Sequence, residues 1–170
     1  MQPYHGRPYP IPHKHKAVLM KEIKRLCDIG VLKWQPSSRW ASPTFIIPKK
    51  DSTVRTISDF RELNKRIVRK PYPIPKISTI LQELEGFTYA TALDLNMGYY
   101  TIRLDPKASE MCTIIFPWGK YSYKRLPMGF GGSANIFQAQ IMDLMAALEF
   151  VRAYMDDLLI ITRKMLDEHL

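Results

Sequence analysis

The sequence predicts an α+β fold whose sheet is mainly antiparallel and packed on helices. Three observations carry that expectation. Strand-like and helix-like segments alternate along the 170 residues, with no internal repeat and no low-complexity tract. Apolar strand pairs at 44–58, 113–125 and 150–162 are joined by short polar links of the hairpin kind. A hydrophobic fraction of 46% and an aromatic fraction of 11% belong to a globular chain rather than a disordered one.

Four prolines (Pro3, Pro8, Pro10, Pro12) make residues 1–13 an extended arm. From residue 14 to 32 the apolar spacing Leu19, Ile23, Leu26, with Gly30 as a stop, predicts an amphipathic helix. Residues 34–43 read as a loop. Segments 44–48 and 54–58 read as strands about a polar turn that carries Lys49 and Lys50 at its tip and Arg55 on the return. Pro71, Pro73 and Pro75 break the chain before a second helix that uses Ile77, Ile80, Leu81 and Leu84 and stops at Gly86. Residues 89–104 read as strand, a bend at Gly98, then strand again through the alternating YTIRL. The 113–125 hairpin turns at 117–120. A third helix is expected over 133–148, with Ser133 as N-cap and Ile136, Phe137, Ile141, Leu144, Met145 and Leu148 facing inward. Two final apolar strands, 150–154 and 158–162, are separated by Met155, Asp156 and Asp157.

No apolar run approaches the ~18–20 residues that span a bilayer, and the first residues lack an apolar signal core. The expectation is an intracellular protein, cytoplasmic or nuclear and not secreted, with no membrane partner. Cys27 and Cys112 are too few for a disulfide framework or a structural zinc site. The net charge of +9 is unevenly placed. Residues 1–76 hold 17 Lys and Arg against 5 Asp and Glu, whereas residues 77–170 hold 8 against 11. A basic half of this kind attracts polyanions, and an acidic half can hold a metal.

The Met155-Asp156-Asp157 link is a poor hairpin turn by geometry and by charge. Such turns favour Asn-Gly or Asp-Gly, which tolerate positive φ, and two adjacent carboxylates repel. A lone Asp-Asp pair is ordinarily a solvated acidic turn. Asp94 changes the weighing, because it too ends an apolar strand and precedes a bend at Gly98. If the two strands are neighbours, three carboxylates meet at one sheet edge. Oxygen ligands of this kind suit Mg²⁺ or Mn²⁺, and two ions ~3.5–4 Å apart serve phosphoryl transfer.

These segments resemble the reverse transcriptases, most closely those of Gypsy-type long-terminal-repeat retrotransposons. Tyr154-Met155-Asp156-Asp157 resembles the YxDD motif, and Leu93-Asp94 with Gly98-Tyr99 resembles the first catalytic motif. Leu126-Pro127-Met128-Gly129-Phe130 through Phe137-Gln138 resembles the LPxGF…FQ segment, and SPTFIIPKKDSTVRTISDFRELNK (42–65) the fingers segment. The resemblance implies a fingers-and-partial-palm fold without a thumb. It assigns 14–86 to fingers, 87–109 to palm, 110–126 to a fingers return hairpin and 127–170 to palm.

The implied activity is RNA-directed DNA polymerisation with two Mg²⁺ ions (Mn²⁺ as a substitute), held by Asp94, Asp156 and Asp157. Lys49 and Arg55 would meet the triphosphate of a dNTP, Tyr99 would exclude a 2′-hydroxyl, and Met128-Gly129 would lie near the nucleotide. Arg61 and Asn64 would touch the template of an RNA or DNA template–primer. Gln138 is expected to be structural. The chain departs from the family at Ala134, where a proline is common, and at Gly131-Gly132, which adds flexibility. The implied thumb and RNase H regions do not follow the final residues, so the expectation is a fragment of a Pol polyprotein with low activity alone. A catalytically silent nucleic-acid-binding remnant is the alternative. A metal-dependent nuclease would use the same carboxylates but gives no reason for the Lys49–Arg55 hairpin.

Overall fold

A computed structural model describes residues 2–69, 71–82, 84 and 86–163. In chain order the elements are α1 (His13–Asp28), β1 (Leu32–Trp34), β2 (Ser42–Pro48), β3 (Val54–Ser58), α2 (Arg61–Asn64), α3 (Ile77–Gln82), β4 (Tyr89–Asp94), α4 (Pro106–Met111), β5 (Thr113–Phe116), β6 (Gly119–Tyr123), α5 (Ser133–Met145), β7 (Val151–Tyr154) and β8 (Asp157–Thr162). A 3₁₀ turn occupies Gly98–Thr101. The chain divides into two compact units. One joins the residues up to Val68 with Tyr99–Ser133, and the other joins Arg69–Gly98 with the residues from Ala134 onward. The breaks between these units fall after 68, 98 and 133. Residues 164–170, part of the expected terminal palm segment, lie outside the described residues.

The first unit is built on a five-stranded sheet in the order β1-β6-β5-β2-β3. Only β2 and β5 run parallel; the other pairs are antiparallel, as the fold class requires. Helix α1 buries Leu19, Ile23 and Leu26, one stripe at helical spacing. It is shorter than expected. Gly30 takes φ +73, the amide of Val31 closes back on the Leu26 carbonyl at 2.8 Å, and Leu32–Trp34 leave the helix to pair with Tyr123–Tyr121. The core beneath contains Phe60, Leu63, Ile114, Phe116, Tyr123 and Leu126, none more than 3% exposed. The proline-rich arm is docked: the Gly6 amide donates to the Ala41 carbonyl and the Ala41 amide to Tyr4, both at 2.8 Å.

The second expected strand of 89–104 does not form as such. Met97 takes φ +59 and the chain enters the 3₁₀ turn, leaving a single bridge between Arg103 and Arg125. The amides of Leu104 and Leu126, donating to Lys124 and Ile102, are the remainder of that ladder. Alternation was present, but the tight turn consumed the residues that would have extended it.

Gly119 shows how closely the first unit is packed. An added Cβ would lie 2.1 Å from the Trp34 ring, and its φ of +153 lies where L side chains are strained. Gly119→Ala is expected to destabilise the fold by about 1–3 kcal/mol. Thermal unfolding measures the loss, and an unchanged midpoint would contradict this packing.

The second unit holds the antiparallel sheet β4-β8-β7. Its core joins Ile141 of α5 to Val151, Ala153 and Leu158, with Leu95, Met145 and Ile160 against them. Only one face of α5 is used. Phe137 and Ile141 point inward as expected, but Ile136 is 40% exposed, Leu144 71% and Leu148 39%. Ile136 and Leu144 each stand one residue, about 100° of turn, from Phe137 and Met145, and Leu148 lies beyond the end of the helix, so apolar identity did not imply burial. Ser133 is not an N-cap either: its hydroxyl donates to the Pro127 carbonyl at 2.6 Å.

Candidate active site

Two apolar strands carry the acidic residues to one place. β4 pairs with β8 in a register that sets Asp94 opposite Asp157, while β7 sets Tyr154 opposite Asp157 from the other side. Directly paired residues in such a ladder have Cβ atoms about 4.5–5.5 Å apart. The Leu95 amide donates to the Asp156 carbonyl at 2.8 Å, so the residue after Asp94 is stitched to the turn as well. Leu158 on β8 faces α5 with Val151 and Ala153, and the alternation of side chains then turns Asp157 to the opposite face.

The hairpin loop is two residues, Met155 and Asp156, and Asp157 already belongs to β8. Met155 takes φ +50 without being glycine. A non-glycine residue in that region is uncommon and persists where surroundings enforce it. The two-residue turn itself calls for it, and Gln138 of α5, fully buried, braces it. Its amide nitrogen donates to the Ala153 carbonyl at 3.0 Å, and its oxygen accepts from the Met155 amide at 2.7 Å. Among the described residues β7 is an edge strand, and the Gln138 amide meets these two backbone groups as a peptide of a further strand would.

The charges that act on the Asp156 carboxyl are both negative. Burial, then the Asp94 and Asp157 carboxylates, push the Asp156 carboxyl above its ordinary value. Asp156 Oδ1 is shielded and has no hydrogen-bond partner. An orphaned, desolvated carboxylate oxygen between two further carboxylates suits a hard divalent cation by donor chemistry. With the side chains as they stand, no group of three His, Cys, Asp or Glu among the described residues is arranged to hold an ion. Asp94 and Asp157 are both exposed.

The other expected residues lie in the first unit. Lys49 and Arg55 are both exposed on the β2–β3 hairpin, with Arg55 opposite Ile47 and the Lys49 amide closing the loop on the Thr53 carbonyl at 2.9 Å. Asp51 fixes that loop by accepting from the Thr53 amide and hydroxyl, which lowers its pKa. Arg61 is presented by a two-point ion pair, Nε at 2.8 Å and Nη2 at 2.6 Å from Asp59. The Arg61 guanidinium accordingly draws the Asp59 carboxyl down to about 2. Tyr9 donates to the same carboxylate at 3.2 Å. Tyr99 is buried, Met128 is 48% exposed, and Gly129 takes φ +83.

Asn64 does something the sequence did not suggest. Its side-chain nitrogen donates to the Gly129 carbonyl at 2.9 Å, and its oxygen accepts from the Gly131 amide at 2.7 Å. It ties α2 to the 129–131 loop. Gly131 is thereby anchored, contrary to the flexibility expected of Gly131-Gly132. Gln138 had one legible signal, a polar amide inside an apolar stretch, whereas Asn64 sits among charged residues; their partners lie 15–17 and 65–67 residues away.

Comparison with known proteins agrees with this arrangement. The family model described as reverse transcriptase (RNA-dependent DNA polymerase) matches residues 47–170. The Pol polyprotein of the gypsy transposon of Drosophila melanogaster is 32% identical over 94% of the chain, and that of transposon 412 is 30% identical over 94%. The Tf2-3 polyprotein of Schizosaccharomyces pombe is 31% identical over 91%. The chain spans only 12–16% of the length of these relatives. Among solved structures, a prototype foamy virus protease–reverse transcriptase mutant superposes with a TM-score of 0.90 at 30% identity, covering 99% of this chain and 22% of that one. The foamy viral enzyme in complex with an RNA/DNA hybrid superposes at 0.87 with 26% identity, again over 99% and 22%. With that match over most of its length and the YMDD turn set against Asp94, the chain belongs to the reverse transcriptase (RNA-dependent DNA polymerase) family.

Proposed function

We propose that the chain performs template-directed DNA synthesis, adding dNTPs to a primer on an RNA or DNA template. The observation that carries this reading is the register of Asp94 with Asp157 beside the orphaned carboxylate of Asp156. Asp94, Asp156 and Asp157 would hold two Mg²⁺ ions, for which Mn²⁺ can substitute. When bound, the ions supply the positive charge that acidifies a hydroxyl and neutralises a triphosphate. The primer 3′-hydroxyl gives up its proton and its oxygen bonds to the α-phosphorus, while the bond to the β-phosphate oxygen breaks and pyrophosphate leaves. The chain's own part is positioning and charge, without covalent participation.

Lys49 and Arg55 are assigned to the triphosphate, an ammonium and a guanidinium on an exposed hairpin. Tyr99 is assigned to exclusion of the 2′-hydroxyl, and Met128-Gly129 to the nucleotide's vicinity. Arg61 is assigned to the template. For Asn64, whose amide is committed to Gly129 and Gly131, the template role becomes one of holding the 129–131 loop in place. The chain would work as part of a larger Pol polyprotein, with thumb and RNase H regions as its partners, and with low activity alone. Thumb contacts supply phosphate interactions that set affinity for duplex.

Primer extension on poly(rA) with oligo(dT), dTTP and Mg²⁺ tests the reading. Incorporation that stops on chelation and returns with Mg²⁺ supports it. Salt-sensitive RNA binding with no incorporation, in this chain and in one extended downstream, would leave the silent remnant. Arg55→Ala is expected to raise the KM for dTTP about tenfold or more, the loss of a charge-assisted contact of about 1.5–3 kcal/mol.

A further inference from the structure

The first unit carries a run of aromatic rings bordered by lysines, and none of these side chains is assigned to catalysis. Trp34 of β1 lies opposite Tyr121 of β6, their rings 5.1 Å apart and nearly perpendicular. Tyr121 meets Phe116 at 6.1 Å, and Phe116 stacks parallel on Trp118 at 5.2 Å. Phe116 is buried and backs Trp118; Gly119 backs Trp34, its missing Cβ leaving the space the ring fills. Trp34 is nevertheless 48% exposed. Beside the rings lies an open groove of about 550 Å³ between them and α1, lined by Met20, Lys21, Lys24, Cys27, Trp118 and Tyr121. The Lys16 ammonium stands 5.9 Å over the Trp118 ring.

The fold gives these rings no reason to be at the surface. A buried tryptophan would contribute more to stability than one half in water. Of the lysines beside the rings, Lys24 is held by Asp28 at 2.7 Å, which leaves Lys16 and Lys21 as the cations on offer. Rigidly backed rings and mobile cations are, in combination, what a single strand of nucleic acid requires. Each unpaired base stacks on a ring, and each phosphate takes an ammonium. A duplex hides its base faces, so it would meet only the lysines. Charge also selects among occupants. α1 carries Lys14, Lys16, Lys21, Lys24 and Arg25 against Glu22 and Asp28, so a polyanion is favoured over a second copy of this basic chain.

We propose that the face formed by Trp34, Trp118, Tyr121 and the lysines of α1 is a binding site for single-stranded nucleic acid, separate from the polymerase site. It is independent of incorporation, and a chain that makes no DNA would retain it. The test uses the full chain bearing Asp156→Asn, titrated with unprimed oligo(U) RNA at several salt concentrations. Trp40 is buried, so quenching of tryptophan emission reports Trp34 and Trp118. The expected result is quenching on binding, with Kd raised about tenfold in Trp34→Leu through loss of one stacked base. Lys16→Gln with Lys21→Gln, surface changes that leave the fold alone, should lower the salt slope by about 1.4, for two phosphates at ~0.7 each. A saturating primer–template duplex should leave oligo(U) bound. The proposal is overturned if duplex displaces all the oligo(U), if both variants bind as the parent does, or if Trp34→Leu abolishes self-association while RNA binding persists.

Discussion

Asp156→Asn is expected to abolish nucleotide incorporation and, in the absence of divalent metal, to make the protein more stable. The two effects have one origin. Asp156 is held half-buried next to Asp94 and Asp157, with one oxygen that finds no partner. Its folded pKa is raised, chiefly by burial and then by those two neighbours. A carboxyl with a raised folded pKa binds more protons in the folded state than in the unfolded chain. Stability is then lost as pH climbs from the ordinary carboxylate range through the folded value, and the deficit is complete above it. At neutral pH, asparagine removes that deficit, and in chelator the thermal midpoint should rise. Catalysis moves the opposite way. Losing a ligand that places several kcal/mol of cationic charge on the reacting phosphate costs about a thousandfold or more. Circular dichroism melts and primer extension on the same preparations decide it. A variant that loses activity and also loses stability in chelator would mean that Asp156 is a packing residue.

A pH profile follows from the same electrostatics. Protons and divalent cations compete for Asp156, so incorporation should fall on the acid side at a higher pH than an ordinary carboxylate gives, and added Mg²⁺ should move that limb to lower pH. A limb insensitive to Mg²⁺ would assign the titration to a group outside the acidic cluster.

The site was more legible in the sequence than the packing around it. Asp94 and Asp156-Asp157 announced themselves because each interrupts an apolar strand, where a carboxylate has no structural use. Pairing of the last two strands followed from period two and a short link; that β4 lies beside β8 was left open, and the observed register sets Asp94 against Asp157. Helix α5 was harder. Its sequence is apolar nearly all round, so the moment that singles out a buried face is weak, and Leu144 is left mostly in water. The stretch after Gly98 shows a different limit. YTIRL alternates, but alternation is a statement about side chains, and the backbone turn at Met97 decided the outcome. Asn64 and Gln138 were least legible of all, because both bond to backbone groups, which carry no sequence identity.

Gln138→Leu is the sharper test of how the catalytic turn is made. Leucine keeps the volume in a site that is fully buried and packs acceptably beside Ile141. What it removes is a pair of hydrogen bonds to groups that, among the described residues, have no other strand beside them, the Ala153 carbonyl and the Met155 amide. Each buried backbone group left unpaired costs about 1–3 kcal/mol, so the loss should total about 2–6 kcal/mol. Part of it will be taken by local change, since Met155 is braced at φ +50 by that amide and would relax toward negative φ. Relaxation at Met155 re-aims Asp156 and Asp157, which follow it, and incorporation should fall even at temperatures where the fold is intact. Met155→Gly supplies the control, because glycine adopts positive φ without strain. Added to Gln138→Leu, it should recover part of the stability while the amide of residue 155 still exchanges fast with solvent. Native-state hydrogen exchange at that amide is the direct measurement: strong protection in the parent chain, lost in Gln138→Leu. Protection unchanged in the variant would show that the turn holds its own conformation and that Gln138 is merely packed beside it.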